Sequence, residues 1–329
     1  MSNLSLTMAC GPYDRFDALH NGVVRPEGID LTYLAIQSPP EIFARMVKNA
    51  SFDISEMSAS MYMILKAQGN FPFIALPIFP LRMFRHGFIF VNTGSGIKTP
   101  NDLEGKRIGV QEYRQTAGIW IRGILGSEYG VSFENVRWFE GGVNNSRSHD
   151  PAMDLRPQTN ISIQTISASQ TLSKMLETGE IDALLGARAP NALGVSPHVA
   201  RLFPNYREVE REFYKKTGIF PIMHTLVMKE NLYREKPWVA ESLYKACEEA
   251  KAWCLKQMQF SGAIRYTLPW LLADIDEMTE LFGHDPWPYG IEPNRRTLET
   301  LVQYLVYQHF LSKPVNLDEM FARIVTWNE

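Results

Sequence analysis

The sequence predicts an α/β protein with mostly parallel sheets. Short apolar runs rich in β-branched and aromatic residues alternate with helix-length amphipathic segments, and turn residues bound each run. The alternation also has an end: from about residue 230 onward the strand pattern stops and helices take over.

Strand-like runs cover 4–8, 29–36, 73–78, 88–92, 107–111, 136–140, 161–166, 182–185 and 225–228. Their side chains suit a pleated, half-buried surface. The helices have readable ends. Ser38 stands before Pro39-Pro40, an N-cap followed by residues whose fixed φ suits a first turn, and Ile42, Phe43, Met46 and Val47 share one face. Ser169 precedes Leu172, Met175 and Leu176, and Gly179 supplies a stop. Pro237 opens a long helix with Val239, Leu243, Ala246, Ala250 and Trp253 on one stripe. Asn294 precedes another, marked by Leu298, Leu301, Val302 and Leu305. The segment 141–160 is polar, carries two prolines and reads as a long irregular loop.

Composition narrows the function. A length of 329 residues suggests two domains. Lys+Arg 33 against Asp+Glu 36 leaves a net charge of -3, with no cationic excess for a phosphate backbone, so nucleic acid is not an expected partner. Any bound anion must be met by a local cluster of cations. Cys10, Cys247 and Cys254 form no CxxC pair and are odd in number, which argues against a disulfide framework or a cysteine zinc site. Met1 to Leu19 shows no basic stretch followed by an apolar run, and no apolar run is long enough to span a bilayer. The expectation is a cytoplasmic protein with no membrane partner. Gly141-Gly142 lacks a phosphate-loop context, so nucleotide binding is not expected either.

Thr99-Pro100-Asn101-Asp102-Leu103-Glu104-Gly105 reads as a capped turn with a glycine stop, and the strand Lys106-Arg107-Ile108-Gly109-Val110 follows. Gln111-Glu112-Tyr113-Arg114-Gln115-Thr116 then opens a helix. This unit resembles the entry to the second lobe of type II periplasmic-binding-protein folds. Other segments sharpen the match. Cys10-Gly11-Pro12-Tyr13-Asp14-Arg15, Arg25-Pro26-Glu27-Gly28-Ile29, Phe84-Arg85-His86, Glu112-Tyr113 and Trp120-Ile121-Arg122-Gly123-Ile124-Leu125 resemble the family of 4,5-dihydroxyphthalate decarboxylases. So do Ala187-Arg188-Ala189-Pro190, Phe220-Pro221-Ile222-Met223-His224 and Asp285-Pro286-Trp287-Pro288-Tyr289-Gly290. The resemblance covers nearly the whole chain apart from about 141–160.

The resemblance implies a two-lobed α/β fold of the type II periplasmic-binding-protein kind. Residues 1–91 and 220–329 would form one lobe and 92–219 the other, with crossings near 88–92 and 219–228 and a ligand cleft between the lobes. It also implies non-oxidative decarboxylation of 4,5-dihydroxyphthalate to 3,4-dihydroxybenzoate and carbon dioxide. Because family chains are also named binding proteins for their fold, a non-catalytic solute-binding or sensing protein for an aromatic carboxylate is the alternative.

The implied reaction sets chemical demands. Direct loss of carbon dioxide would leave an aryl anion in the ring plane, which the π system cannot stabilise. Protonating the carbon that bears the carboxylate avoids this, and the para hydroxyl then carries the charge as a ketone-like oxygen. The enzyme needs a cationic clamp, an acid aimed at the ring carbon and an acceptor for the phenolic proton. No organic cofactor is expected.

Arg82 and Arg85 offer planar forks for carboxylates, and His86 beside them is an imidazole, whose unperturbed pKa allows proton transfer near neutrality. His224 comes from the other crossing as a second acid or base, or as a structural histidine. Glu112, between a strand and a helix, is a cap, a neighbour of amides that receive a substrate carboxylate, or the ring acid. Tyr13 could meet a phenol, while Asp14 reads as a cap. Ser58 and Ser60 offer hydroxyls or cap a helix, Arg188 is the cation of the middle lobe, and Trp120 could wall the cleft. A divalent metal held by His86, His224 and Glu112 stays open, as does self-association.

Overall fold

The computed structural model describes residues 2–69, 71–147, 153 and 155–324. Among them the strands are β1 (Leu4–Cys10), β2 (Ile29–Ala35), β3 (Ile54–Ser58), β4 (Phe73–Leu76), β5 (Ile89–Asn92) and β6 (Arg107–Val110). They continue as β7 (Arg137–Glu140), β8 (Ile163–Thr165), β9 (Ala183–Leu185), β10 (Val199–Arg201) and β11 (His224–Lys229).

One sheet has the order β2-β1-β3-β11-β4 and the other β10-β5-β9-β6-β7-β8. In the first, β1 runs parallel to β2 and β3, and β11 runs against β3 and β4. In the second, β9, β6, β7 and β8 run parallel, and β5 runs against β9 and β10. The structure is therefore α/β with mixed, mostly parallel sheets. No helix among the described residues is long and apolar enough to cross a membrane.

The chain divides into two compact units. The first comprises residues 1–82, 222–298 and 315–329, and the second 83–221 and 299–314. This differs from the sequence division at 91/92 and 219/220, which kept all the C-terminal helices in one lobe. β5 belongs to the second unit because its edges are hydrogen-bonded to β9 and β10. The end of the helix Arg295–Tyr307 and the residues after it belong there too. Tyr304 packs its ring 5.5 Å from that of Trp120, and Gln308 accepts from Arg122 Nε at 2.7 Å and donates to the Ile119 carbonyl at 2.9 Å. Gly123 makes the approach possible, since a Cβ there would lie 2.1 Å from the Tyr304 ring.

Two strands escaped the sequence pattern. β10 is only three residues long. β3 is buried at every position yet carries Ser55, Glu56 and Ser58, so it shows neither alternation nor a continuous apolar run. One cap moved as well: Thr171, not Ser169, caps the helix Leu172–Thr178 by accepting from Lys174 N at 3.3 Å.

These topologies gather loops at particular edges. In the first sheet the carboxyl ends of β1 and β3 and the amino end of antiparallel β11 fall on one edge. In the second, the carboxyl ends of β6, β7 and β9 share an edge with the amino end of β5. Ligands of open α/β sheets bind outside the carboxyl ends of strands.

Candidate active site

The first unit centres on a carboxylate that the sequence reading missed. Glu56, in the middle of β3, is 0% exposed. Its Oε2 accepts from Gly11 N at 2.8 Å and lies 3.6 Å from Cys10 Sγ. Its Oε1 accepts from the Tyr13 hydroxyl at 2.6 Å and lies 2.5 Å from His224 Nδ1. Burial opposes the charge, but His224 and the hydrogen bonds from His224, Tyr13 and Gly11 outweigh it and hold the carboxyl below its ordinary value. Burial and the Glu56 charge push the Tyr13 phenol up, so it stays a donor.

A carboxylate accepts only, so Nδ1 is the nitrogen of His224 that donates to it. That leaves Nε2 as the nitrogen able to exchange a proton with a ligand. The imidazole is further set by the Phe43 ring, edge-on at 5.1 Å. Arg15 steadies Tyr13: its guanidinium lies 4.7 Å from the Tyr13 ring centre and 4.1 Å from that of Trp287, and its Nε donates to the Pro80 carbonyl at 3.0 Å. The Tyr33 hydroxyl holds the Gly11 carbonyl at 2.8 Å.

Ser58 is the register partner of His224 across β3 and β11. Its Oγ accepts from Met61 N at 3.4 Å at the start of the helix Ala59–Ala67 and lies 3.4 Å from Ser60 Oγ. Tyr13, Ser58 and His224 thus come together around Glu56.

In the second unit Glu112 follows β6. It forms salt bridges with Arg114 at 2.6 Å and with Arg147. The neighbouring Glu140, at the end of β7, accepts from Tyr113 N at 2.8 Å and from Arg156 at 3.3 Å. Arg122 is buried in the helix Thr116–Tyr129, its guanidinium 3.9 Å from the Tyr113 ring centre and donating to the Tyr113 carbonyl at 2.7 Å. Trp120, on the same helix, is fully buried.

Arg188 lies three residues beyond β9. It is exposed and holds no ion pair among the described residues. Asn144 fastens its loop by donating to the Ala189 carbonyl at 2.9 Å and accepting from Asn191 N at 2.8 Å.

The adjacent basic residues 82, 85 and 86 have separate surroundings. Arg82, in the first unit, donates to the Asn294 side chain and at 3.3 Å to the Pro288 carbonyl. Asn294 in turn donates to the Pro288 and Gly290 carbonyls at 2.9 and 2.8 Å, so this set fastens the Pro288-Tyr289-Gly290 segment.

Arg85 and His86, in the second unit, are each 2% exposed. Arg85 lies 5.0 Å from the Phe88 ring centre, and burial lowers its guanidinium to about 9 while Glu210 opposes this. His86 packs against the rings of Phe203 and Phe213, at 5.5 and 5.2 Å, with Nδ1 4.0 Å from Glu210 Oε1. Burial pushes its imidazole down to about 4. Among the described residues no three His, Cys, Asp or Glu side chains gather as a metal site. His149 and Asp150, adjacent in sequence and without the i,i+4 spacing of helical metal ligands, lie outside the described residues.

No protein-family model matches the chain. It is 37% identical over 300 residues to a 4,5-dihydroxyphthalate decarboxylase of Comamonas testosteroni, covering 91% of this chain and 90% of that protein. A 4,5-dihydroxyphthalate decarboxylase of Pseudomonas putida is 36% identical over 216 residues, covering 65% and 83%.

Among solved structures, the periplasmic aliphatic sulphonate binding protein SsuA from Escherichia coli superimposes with a TM-score of 0.57 at 13% identity, covering 98% of both chains. The alkanesulfonate-binding protein SsuA from Xanthomonas axonopodis pv. citri gives 0.52 at 12% identity, covering 98% and 99%. The fold is therefore periplasmic-binding-protein-like, as the sequence resemblance implied.

Proposed function

The chain belongs to the 4,5-dihydroxyphthalate decarboxylase family and is a carboxy-lyase; we propose that it converts 4,5-dihydroxyphthalate to 3,4-dihydroxybenzoate and carbon dioxide, with His224 as the ring-protonating acid. The observation that carries this reading is the wholly buried Glu56 carboxylate 2.5 Å from His224 Nδ1. A carboxylate on Nδ1 fixes the orientation of the imidazole and compensates its positive charge before transfer, which aims Nε2 at the reacting atom.

The proton account closes. The imidazolium gives its Nε2 proton to the ring carbon that bears the leaving carboxylate. The hydroxyl para to that carbon gives its proton to water and becomes ketone-like. The carbon–carboxylate bond then breaks, its electron pair restores the aromatic ring, carbon dioxide departs, the phenolic oxygen regains its proton from water, and a second proton from water restores the imidazolium. The substrate supplies its own electron path, so no organic cofactor enters.

Tyr13 holds the Glu56 carboxylate in line and presents its ring at the same strand edge. Ser58, opposite His224, offers a hydroxyl there. Within the second unit, Arg188 and Arg114 are the cations offered to a carboxylate, one exposed and without an ion pair among the described residues and one beside a turn at the end of β6. Arg85 and His86, buried against Glu210 and aromatic rings, support the second unit.

The test is incubation of the full chain with 4,5-dihydroxyphthalate in deuterium oxide. The expected product is 3,4-dihydroxybenzoate with one deuteron on the vacated ring carbon, and folded His224→Gln should lose turnover while still binding substrate. Tight binding without release of carbon dioxide would instead identify a non-catalytic receptor.

A further inference from the structure

We infer that Glu112 is a resident stand-in for a substrate carboxylate: it occupies the Arg114–Arg147 guanidinium pair when the site is empty and returns to it as product leaves. The inference rests on the reading of the substrate as an aromatic dicarboxylate. Glu112 opens a tight turn in which Gln115 N donates to the Glu112 carbonyl at 3.0 Å. Its side chain reaches Arg114 at 2.6 Å and also Arg147. Arg114 is buried, whereas Arg147 is exposed in the irregular stretch after β7. Two guanidiniums converging on one carboxylate form a receptor for any carboxylate of similar reach.

The second carboxylate of this edge, Glu140, has different work. It is held by Tyr113 N and Arg156, and so ties β7 to the start of the helix Thr116–Tyr129. Among the described residues the Glu112 side chain bonds only guanidiniums, and so can swing away without unmaking a backbone contact there.

The exchange explains how one site takes a dianion and releases a monoanion. The substrate offers two carboxylates, one for the guanidinium pair and one to be lost. After carbon dioxide departs, the product offers a single charge. It then competes less well with a carboxylate tethered a few ångströms away, whose effective concentration is high. Glu112 thereby weakens the hold of the guanidinium pair on any carboxylate and hastens product release.

The experiment compares Glu112→Gln with the parent, using phthalate as an unreactive dianion and 3,4-dihydroxybenzoate as product. Phthalate lacks the para hydroxyl and cannot decarboxylate by this path. Calorimetric Kd for both should fall about tenfold in the variant. Under turnover KM should fall and kcat should fall with it as release becomes limiting, and phthalate should raise the Tm of the variant more than that of the parent. A folded variant whose two Kd values match or exceed the parental ones overturns the inference. If Glu112→Gln does not fold, Glu112→Asp, which retracts the carboxylate by one methylene, should show a smaller tightening, and unchanged Kd values there overturn it equally. Failure of the underlying reading looks different: the parent itself would neither bind phthalate nor turn over 4,5-dihydroxyphthalate.

Discussion

Replacing Glu56 by Gln tests the proposed acid at its support without touching the acid itself. The substitution keeps the size of the side chain and removes the charge. Gly11 N is a fixed backbone donor at 2.8 Å, so the amide oxygen must face it. The amide nitrogen then faces Tyr13 and His224, where two donors now sit. The Tyr13 hydroxyl can rotate to accept. His224 can accept only by giving up its Nδ1 proton, which leaves a neutral ring protonated on Nε2 in place of the imidazolium proposed as the acid.

Losing this orientation and charge should lower kcat by about 100- to 10,000-fold, or ~3–5 kcal/mol in the barrier. KM should move by less than about threefold, since Glu56 is buried and touches no ligand. Stability should also fall by ~2–4 kcal/mol, because charge-assisted hydrogen bonds become neutral or unfavourable ones. The assay is 3,4-dihydroxybenzoate formation alongside a thermal melt that shows the variant folded at the assay temperature. A folded Glu56→Gln enzyme with kcat within about threefold of the parent would remove Glu56, and with it the argument for His224.

Two further outcomes follow from the surroundings of single residues. Arg188→Ala should raise KM about tenfold or more and leave Tm within about a degree, since an exposed arginine with no ion pair among the described residues supports no fold; a normal KM removes it from the substrate site. His86 titrates at about 4 in the folded chain against an ordinary 6.5, so the unfolded chain takes up the extra proton between those values. Stability should therefore fall as pH drops from about 6.5 to 4, by up to ~3 kcal/mol from this residue. His86→Phe should flatten that part of the Tm–pH curve, and an unchanged curve refutes the assignment.

The elements that sequence made legible are those whose partners are chemically generic. β1 and β2 announce themselves because any apolar surface satisfies Leu6, Met8 and Ile29. β3 does not, because the partners of its carboxylate are specific and remote: Gly11 lies 45 residues away, Tyr13 43 and His224 168. No local window contains the donors that make a buried glutamate tolerable, so the sequence pattern marks neither β3 nor Glu56. The same remoteness misdirects adjacency. Arg82, Arg85 and His86 look like one cationic site in sequence. Yet Asn294, 212 residues on, takes Arg82, while Glu210 stands beside Arg85 and His86 and bonds Gly87, 123 residues before it. Residue type alone singles out His224 and Tyr13 in the sequence, and in the structure both contact the Glu56 carboxylate.

Charge makes the same point at the scale of the whole chain. A protein of net charge -3 whose proposed substrate is an aromatic dianion must concentrate cations locally. At the carboxyl edge of the second sheet the guanidiniums of Arg114, Arg147 and Arg156 pair with the carboxylates of Glu112 and Glu140, and Arg188 follows the end of β9. An unoccupied cluster of that kind would repel itself, and resident carboxylates relieve the repulsion. Counted over these six side chains, a cationic excess remains that equals the charge the proposed substrate brings. Binding then restores neutrality, and loss of carbon dioxide disturbs it again in favour of release. Selectivity for a dicarboxylate over its monocarboxylate product can thus arise from counting charges at one edge, before any contact with the ring is considered.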